Sequence, residues 1–155
     1  MNLYLVQHGE AKTAEDDPQR SLSDKGQADI EKVAAFVAES TPIRVSRIFH
    51  SGKNRAQQTA EILAQHLNPP NGVTAIEGLE PFAYPSICEN RIAGETEDIM
   101  LVGHLPHLDK LSATLVCRDK AKSVIAFQNG GVVCLTADES GNWRIGWMVT
   151  PQMLK

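Results

Sequence analysis

The sequence predicts an α/β fold: a three-layer α/β/α sandwich with a mostly parallel sheet and an antiparallel C-terminal hairpin. Three observations predict it. Short apolar runs, of which Leu3-Tyr4-Leu5-Val6 and Ile99-Met100-Leu101-Val102-Gly103 are the clearest, read as strands buried on both faces. Between the runs lie stretches whose apolar residues recur at helical spacing. Near the C-terminus, two alternating segments flank Asp138-Glu139-Ser140-Gly141-Asn142, a hairpin signature that makes the sheet mixed.

The first strand stops at Gln7-His8-Gly9-Glu10. In parallel sheets, ligands bind outside the carboxyl ends of the strands, and His8 would sit at such an end. Gly9 lacks a side chain, so the backbone can turn sharply and a bulky anion can come close to the imidazole. On this octapeptide alone, His8 is as readily a surface or capping residue. Ala11 to Arg20 is polar, with Glu15-Asp16-Asp17-Pro18 at its centre, and reads as a loop over the strand ends. From it Lys12 and Arg20 could face a phosphate, or remain solvated surface charges.

Ser21-Leu22-Ser23-Asp24-Lys25-Gly26 announces a helix, with Ser23 as its cap and Asp24 at the positive end of the dipole. Ile30, Val33, Ala34 and Val37 form one apolar face. Thr41-Pro42 ends this helix, and Val45 to Phe49 make the second strand. Next, Ser51 is expected to cap a helix with the stripe Ala56, Ala60, Leu63 and Leu67, which places Arg55 about one turn in. A helix start and a guanidinium together suit an anion. The plainer alternative for Arg55, a surface pair, finds no support in Gln58 and Thr59.

Asn68 to Gly72 is a loop, Val73 to Ile76 a third strand and Glu77 to Pro85 irregular; Ile87 to Ala93 can make a short helix. Ile99 to Gly103 then ends on His104-Leu105-Pro106, a second strand with a histidine at its carboxyl end. Pro106 belongs in the first turn of a helix with Leu108, Leu111 and Leu115 on its apolar face. His107 and Asp109 read as its hydrophilic surface. His104-x-x-His107 lacks a third ligand, so no metal is expected. Gly131 to Thr136 and Trp143 to Val149 are the hairpin strands. The order is strand, helix, strand, helix, strand, strand, helix, hairpin. Right-handed crossovers would bring His8, Arg55 and His104, each roughly fifty residues from the next, to one sheet edge.

A chain of 155 residues suits one domain, 1–155, with a real core. Hydrophobic residues at 42% and charged residues at 22% exclude the disordered and membrane classes. The net charge of −4 provides no global basic field for nucleic acid or acidic lipid, so any anion site must be local. Cys88, Cys117 and Cys134 are odd in number and without a C-x-x-C pair, and read as buried free thiols in a reducing compartment. None begins a Cys-x-x-x-x-x-Arg loop, which leaves cysteine-dependent phosphate chemistry without support. The opening apolar run has no basic leader and is broken by Gln7 and His8, so no signal peptide is expected. No run approaches a membrane span, and the cytoplasm is the expected compartment.

Gln7-His8-Gly9-Glu10, Leu22-Ser23-Asp24-Lys25-Gly26, Ser51 through Ala60 with Arg55, Val102-Gly103-His104-Leu105-Pro106, the hairpin and Pro151-Gln152-Met153-Leu154-Lys155 together resemble the histidine phosphatase superfamily, and within it the small SixA-type phosphohistidine phosphatases. The resemblance implies a covalent mechanism in which His8 attacks phosphorus as a neutral imidazole, its other nitrogen donating to a nearby backbone carbonyl. It further implies that Arg55 holds the phosphoryl oxygens and that His104, as a charged donor, stabilises the transition state. Gln7, Gly9, Ser51 and Arg20 complete the expected substrate-binding set. No cofactor or metal is implied.

Many relatives use a carboxylic acid to protonate the leaving group. Glu80, with Glu77 behind it, is the candidate acid here, against the plainer reading of a loop carboxylate before proline. Gln7 stands where the family has an arginine. Replacing a charge-assisted bond by a neutral one would cost about tenfold in phosphate binding, which Lys53, Lys12 or Arg20 could offset. The resemblance implies a phosphohistidine-containing signalling protein, such as a phosphotransfer domain, as substrate and partner. A small phosphate ester as substrate, or a non-catalytic phosphate-binding module, are the alternatives; neither nucleic acid nor a membrane is an expected partner.

Overall fold

The computed structural model describes residues 1–155. Its elements in chain order are β1 (Asn2–Gln7), α1 (Asp24–Ser40), β2 (Arg47–His50), α2 (Asn54–Leu67), β3 (Val73–Ala75), α3 (Pro85–Ala93), β4 (Ile99–Gly103), α4 (His107–Cys117), β5 (Val132–Ala137), β6 (Trp143–Val149) and a closing 3₁₀ turn, Pro151–Met153. The strands form one sheet in the order β3-β2-β4-β1-β5-β6. The first four of these run parallel; β5 is antiparallel to both β1 and β6. This is the mixed α/β sandwich that the apolar runs and the hairpin signature predict.

Two apolar layers flank the sheet, and strand alternation assigns the residues to them. Tyr4, Val6, Ile48, Met100 and Val102 pack with Ile30, Val33 and Val37 of α1 and Ala60 and Leu63 of α2. Leu3, Leu5, Phe49, Ile99 and Leu101 pack with Cys88 and Ile92 of α3 and Leu108 and Leu111 of α4 on the other face. Because β1 and β4 are neighbours whose following helices lie on opposite faces, a crevice opens between their carboxyl ends. Gln7 pairs with Gly103 there, so His8 and His104 leave the sheet side by side.

Several local expectations differ from the structure. The second strand runs from Arg47 to His50, not Val45 to Phe49; Val45 is buried ahead of the strand. The third strand ends at Ala75. A helix separates β3 from β4, because parallel strands need a crossover; Pro85 opens it, two residues before Ile87. Pro106 is the cap of α4 and not part of its first turn. Ser51 does not cap α2: Lys53 occupies that position, and Arg55 is the second residue of the helix. Cys117 is exposed at the end of α4, off the Leu108–Leu111 face, whereas Cys88 and Cys134 are buried. His107 is fully buried and not hydrophilic surface, because α3 packs along α4.

Ser23 caps α1 as expected, accepting from the Gly26 amide at 3.0 Å. Gly26 lies against the Glu10 backbone so closely that a Cβ would overlap the Glu10 carbonyl oxygen. A Gly26→Ala substitution is therefore expected to destabilise the fold by about 3 kcal/mol, the upper end for overpacking. That corresponds to a melting temperature lower by roughly 6–12 °C, and an unchanged thermal melt would exclude this close approach.

Candidate active site

His8 is fixed from both sides of β1. Its amide donates to Gly103 O (3.1 Å), and its carbonyl accepts from the Gly130 amide (3.2 Å). The ring Nδ1 lies 2.7 Å from the Gly9 carbonyl oxygen. A carbonyl can only accept, so Nδ1 carries the proton and Nε2 keeps its lone pair. Burial pushes the His8 pKa down to about 4, with Arg55 and Arg20 adding to the shift against the Gly9 bond. At neutral pH the imidazole is uncharged.

His104 leaves β4 beside it, with ring centroids 4.9 Å apart. Its Nε2 is 2.6 Å from Ser51 Oγ, while its Nδ1 is buried without a partner. Ser51 thus orients His104 instead of capping a helix. Burial, then His8, Arg55, Lys53 and His107, push the His104 pKa down to about 3. The expected charged donor is neutral while no anion is present; a bound dianion would favour its protonation. The turn presenting Ser51 is held by the Gly52 amide, which donates to Nδ1 of the buried His50 at 3.1 Å.

Arg55 reaches the same place from the first turn of α2. Its charge acts on both His8 and His104. Its Nε is buried and has no protein partner, a donor left free for an anion. Thr59, one turn on, ties these groups together: Gly9 N donates to Thr59 Oγ1 (3.0 Å), and Thr59 Oγ1 donates to the Arg55 carbonyl (2.8 Å). Thr59 is fully buried. The signal that could have found it is a hydroxyl set within the stripe Ala56, Ala60, Leu63.

Gly9 serves packing rather than anion approach. A Cβ there would lie 3.0 Å from Ile30 and 3.1 Å from Leu22, and the Gly9 amide is committed to Thr59. Gln7 is buried, with Nε2 donating to Asn129 Oδ1 at 2.8 Å and Oε1 unpartnered. Arg20 donates from Nε to the Lys12 carbonyl (3.1 Å), and its charge acts on His8 and Arg55. The Lys12 charge acts weakly on Asp17, and that of Lys53 on His104.

Glu80 is engaged within its own segment. Its carboxylate accepts from the Gly78 amide at 2.8 Å, and its charge acts on His107 and Cys88. Glu77 is exposed in the same segment. Nowhere do three or more His, Cys, Asp or Glu residues gather as metal ligands. Two cavities of about 270 and 280 Å³ lie away from His8, one between Ile43 and Asp98, the other between Tyr84 and Lys120. The site is thus a polar crevice holding an unprotonated imidazole nitrogen, a guanidinium and a second imidazole. Such a set can bind an oxyanion and attack its central atom.

The chain is 26% identical over 160 residues to the phosphohistidine phosphatase SixA of Escherichia coli (strain K12), covering 100% of this chain and 97% of that protein. Among solved structures, the protein histidine phosphatase SixA complexed with tungstate superposes with a TM-score of 0.87 at 24% identity, covering both chains completely. The alpha-ribazole phosphatase from Shigella flexneri gives 0.72 at 16% identity over 97% of each chain, a likeness of fold. The family model of the histidine phosphatase superfamily, branch 1, matches residues 3–88. That match covers β1 through the first turn of α3, the part of the chain that carries His8, Ser51 and Arg55, and the protein belongs to the histidine phosphatase superfamily.

Proposed function

We propose that this protein is a metal-independent phosphatase acting through a phosphohistidine intermediate on His8, and that its substrate is phosphohistidine on a partner signalling protein. The observation that carries the reading is the 2.7 Å bond from His8 Nδ1 to the Gly9 carbonyl, which leaves Nε2 as the free nucleophile beside His104 and Arg55. His8 Nε2 attacks phosphorus, the substrate's N–P bond breaks, and its electron pair returns to the leaving imidazole, already protonated on its other nitrogen. Water then attacks the phosphoryl group, the Nε2–P bond breaks, and inorganic phosphate leaves as the water proton passes to solvent. Arg55 spreads the equatorial charge, and His104, protonated beside the bound dianion, supplies a further charged donor.

Such a leaving group needs little help from an acid, which accords with Glu80 being tied to Gly78. The similarity to SixA, a phosphohistidine phosphatase, supports this substrate class over a small phosphate ester. A second reading, a phosphate-binding module without turnover, rests on Gln7, whose amide is engaged with Asn129 instead of supplying a cation.

Three outcomes are expected. His8→Ala abolishes turnover of phosphohistidine protein and labelling of the protein by phosphate; activity surviving that change would overturn the mechanism. Gln7→Arg raises kcat/KM by about tenfold or more, the difference between a neutral and a charged donor; tight phosphate binding with no turnover in either form would favour the module. In the anion-free protein the folded His8 pKa lies below the usual 6.5, so protons are taken up late on acidification and the neutral nucleophile persists until about pH 4. An NMR titration of the His8 ring should show that midpoint, and one near 6.5 would remove the argument.

A further inference from the structure

The connection from β2 to α2 is only Ser51-Gly52-Lys53, and it carries much of the site. Ser51 Oγ lies 2.6 Å from His104 Nε2, the Lys53 charge acts on His104, and Arg55 follows in the first turn of α2. Little of its own structure fixes this connection. Neither Ser51 nor Gly52 makes a hydrogen bond from main chain to main chain. Gly52 sits at φ +87° with nothing within 4 Å of where a Cβ would stand, so packing does not restrain it there. The helix that follows begins without a side-chain cap.

Two hydrogen bonds hold its backbone. Lys53 N donates to Ser51 Oγ (3.3 Å), a bond within the turn, and Gly52 N donates to His50 Nδ1 (3.1 Å), a bond to the sheet. His50 is a firm anchor. It is 5% exposed, it pairs with Ala75 of β3 and Val102 of β4, and its carbonyl accepts from the Ile76 amide at 2.9 Å. Because Nδ1 accepts, the ring proton is on Nε2. A proton on Nδ1 would set donor against donor. Burial, opposed by the Glu61 charge, pushes the His50 pKa below its ordinary value and so favours the neutral ring that this bond requires.

Resting on the phosphatase reading above, we propose that His50 is a positioning residue for that reaction: by holding the Gly52 amide, it sets the turn that presents Ser51 to His104. It acts at one remove from the phosphoryl group, through Ser51. An apolar side chain in its place would fill the same space and leave the Gly52 amide without a partner. The turn would then leave its present conformation part of the time, and the Ser51 contact that orients His104 would loosen with it.

The test is a double-mutant cycle on kcat/KM, with a histidine phosphotransfer protein phosphorylated by phosphoramidate as substrate. His50→Leu, which keeps bulk but offers no acceptor, should lower the value by about fivefold, the worth of one hydrogen bond. His50→Asn, whose Oδ1 is as many bonds from the backbone as Nδ1, should restore most of that loss. Ser51→Ala should cost as much or more, and adding His50→Leu to it should cost nothing further. Additive losses, an undiminished His50→Leu protein, or a His50→Asn protein no better than His50→Leu would overturn the assignment. Should His50→Leu fail to fold, His50→Gln, whose acceptor lies one bond further out, takes its place in the cycle. Ring ¹⁵N NMR gives a readout independent of turnover: His50 should carry its proton on Nε2, and the His104 signals should shift alike in His50→Leu and Ser51→Ala. A His50 protonated on Nδ1, or His104 signals that His50→Leu leaves in place, would refute the link. If the unsubstituted protein does not turn over the phosphoprotein, the phosphatase reading fails, and these spectra alone decide whether His50 sets His104.

Discussion

Two hydrogen bonds, from the Gly9 amide to Thr59 Oγ1 and from Thr59 Oγ1 to the Arg55 carbonyl, join the end of β1 to the start of α2. The first is buried and the second partly so, and a satisfied polar chain removed from water is rigid and costly to break. On the α1 side, Gly9 and Gly26 let β1, the Glu10 backbone and α1 come together without intervening side chains. His8 and Arg55 are thereby held as one unit, though they come from elements forty-odd residues apart. The sheet completes the arrangement by pairing Gln7 with Gly103, which brings His104 alongside.

The electrostatics follow from that compactness. Crowding two imidazoles and a guanidinium into a partly desolvated crevice favours the neutral imidazoles, with burial the first cause for both His8 and His104. A neutral His8 whose Nδ1 proton is held by Gly9 is a ready nucleophile; a neutral His104 is a donor awaiting an anion. Gln7 fits this balance in one respect, since a cation there would press both imidazoles still further toward neutrality. It also removes one positive charge from the side that must meet a phosphoryl group. Under the proposed mechanism, Arg55, with Arg20 and Lys53 nearby, carries more of that task than it would beside an arginine at position 7.

Much of the fold was legible in the residues. β4 matches its apolar run from Ile99 to Gly103, α1 begins after the Ser23 cap, and β5 and β6 flank the expected turn. These features are local: strand burial, capping and turn chemistry are written within a few neighbouring positions. The misreadings share the opposite property. Ser51 has the right chemistry for a cap, but a histidine 53 positions later claims its hydroxyl. His107 looks like helix surface until α3 packs beside it, and Gly9 looks like room for an anion until Ile30 and Leu22 fill that space. The roles of Thr59 and Asn129 are not legible in the sequence, because Gly9 and Gln7, which they bind, are distant in the chain.

The sequence by itself nominated the groups for the proposed chemistry, His8 and His104 at the ends of buried strands and Arg55 at a helix start, while the family resemblance marked Gln7 as standing in place of an arginine. Those assignments depend on residue type and on the short-range pattern of apolar residues. Only the tertiary structure decided which nitrogen of His8 is free, that His104 is neutral and oriented by Ser51, and that Glu80 accepts from the Gly78 amide. These depend on desolvation and on hydrogen-bond geometry, which exist only once segments far apart in the chain have met.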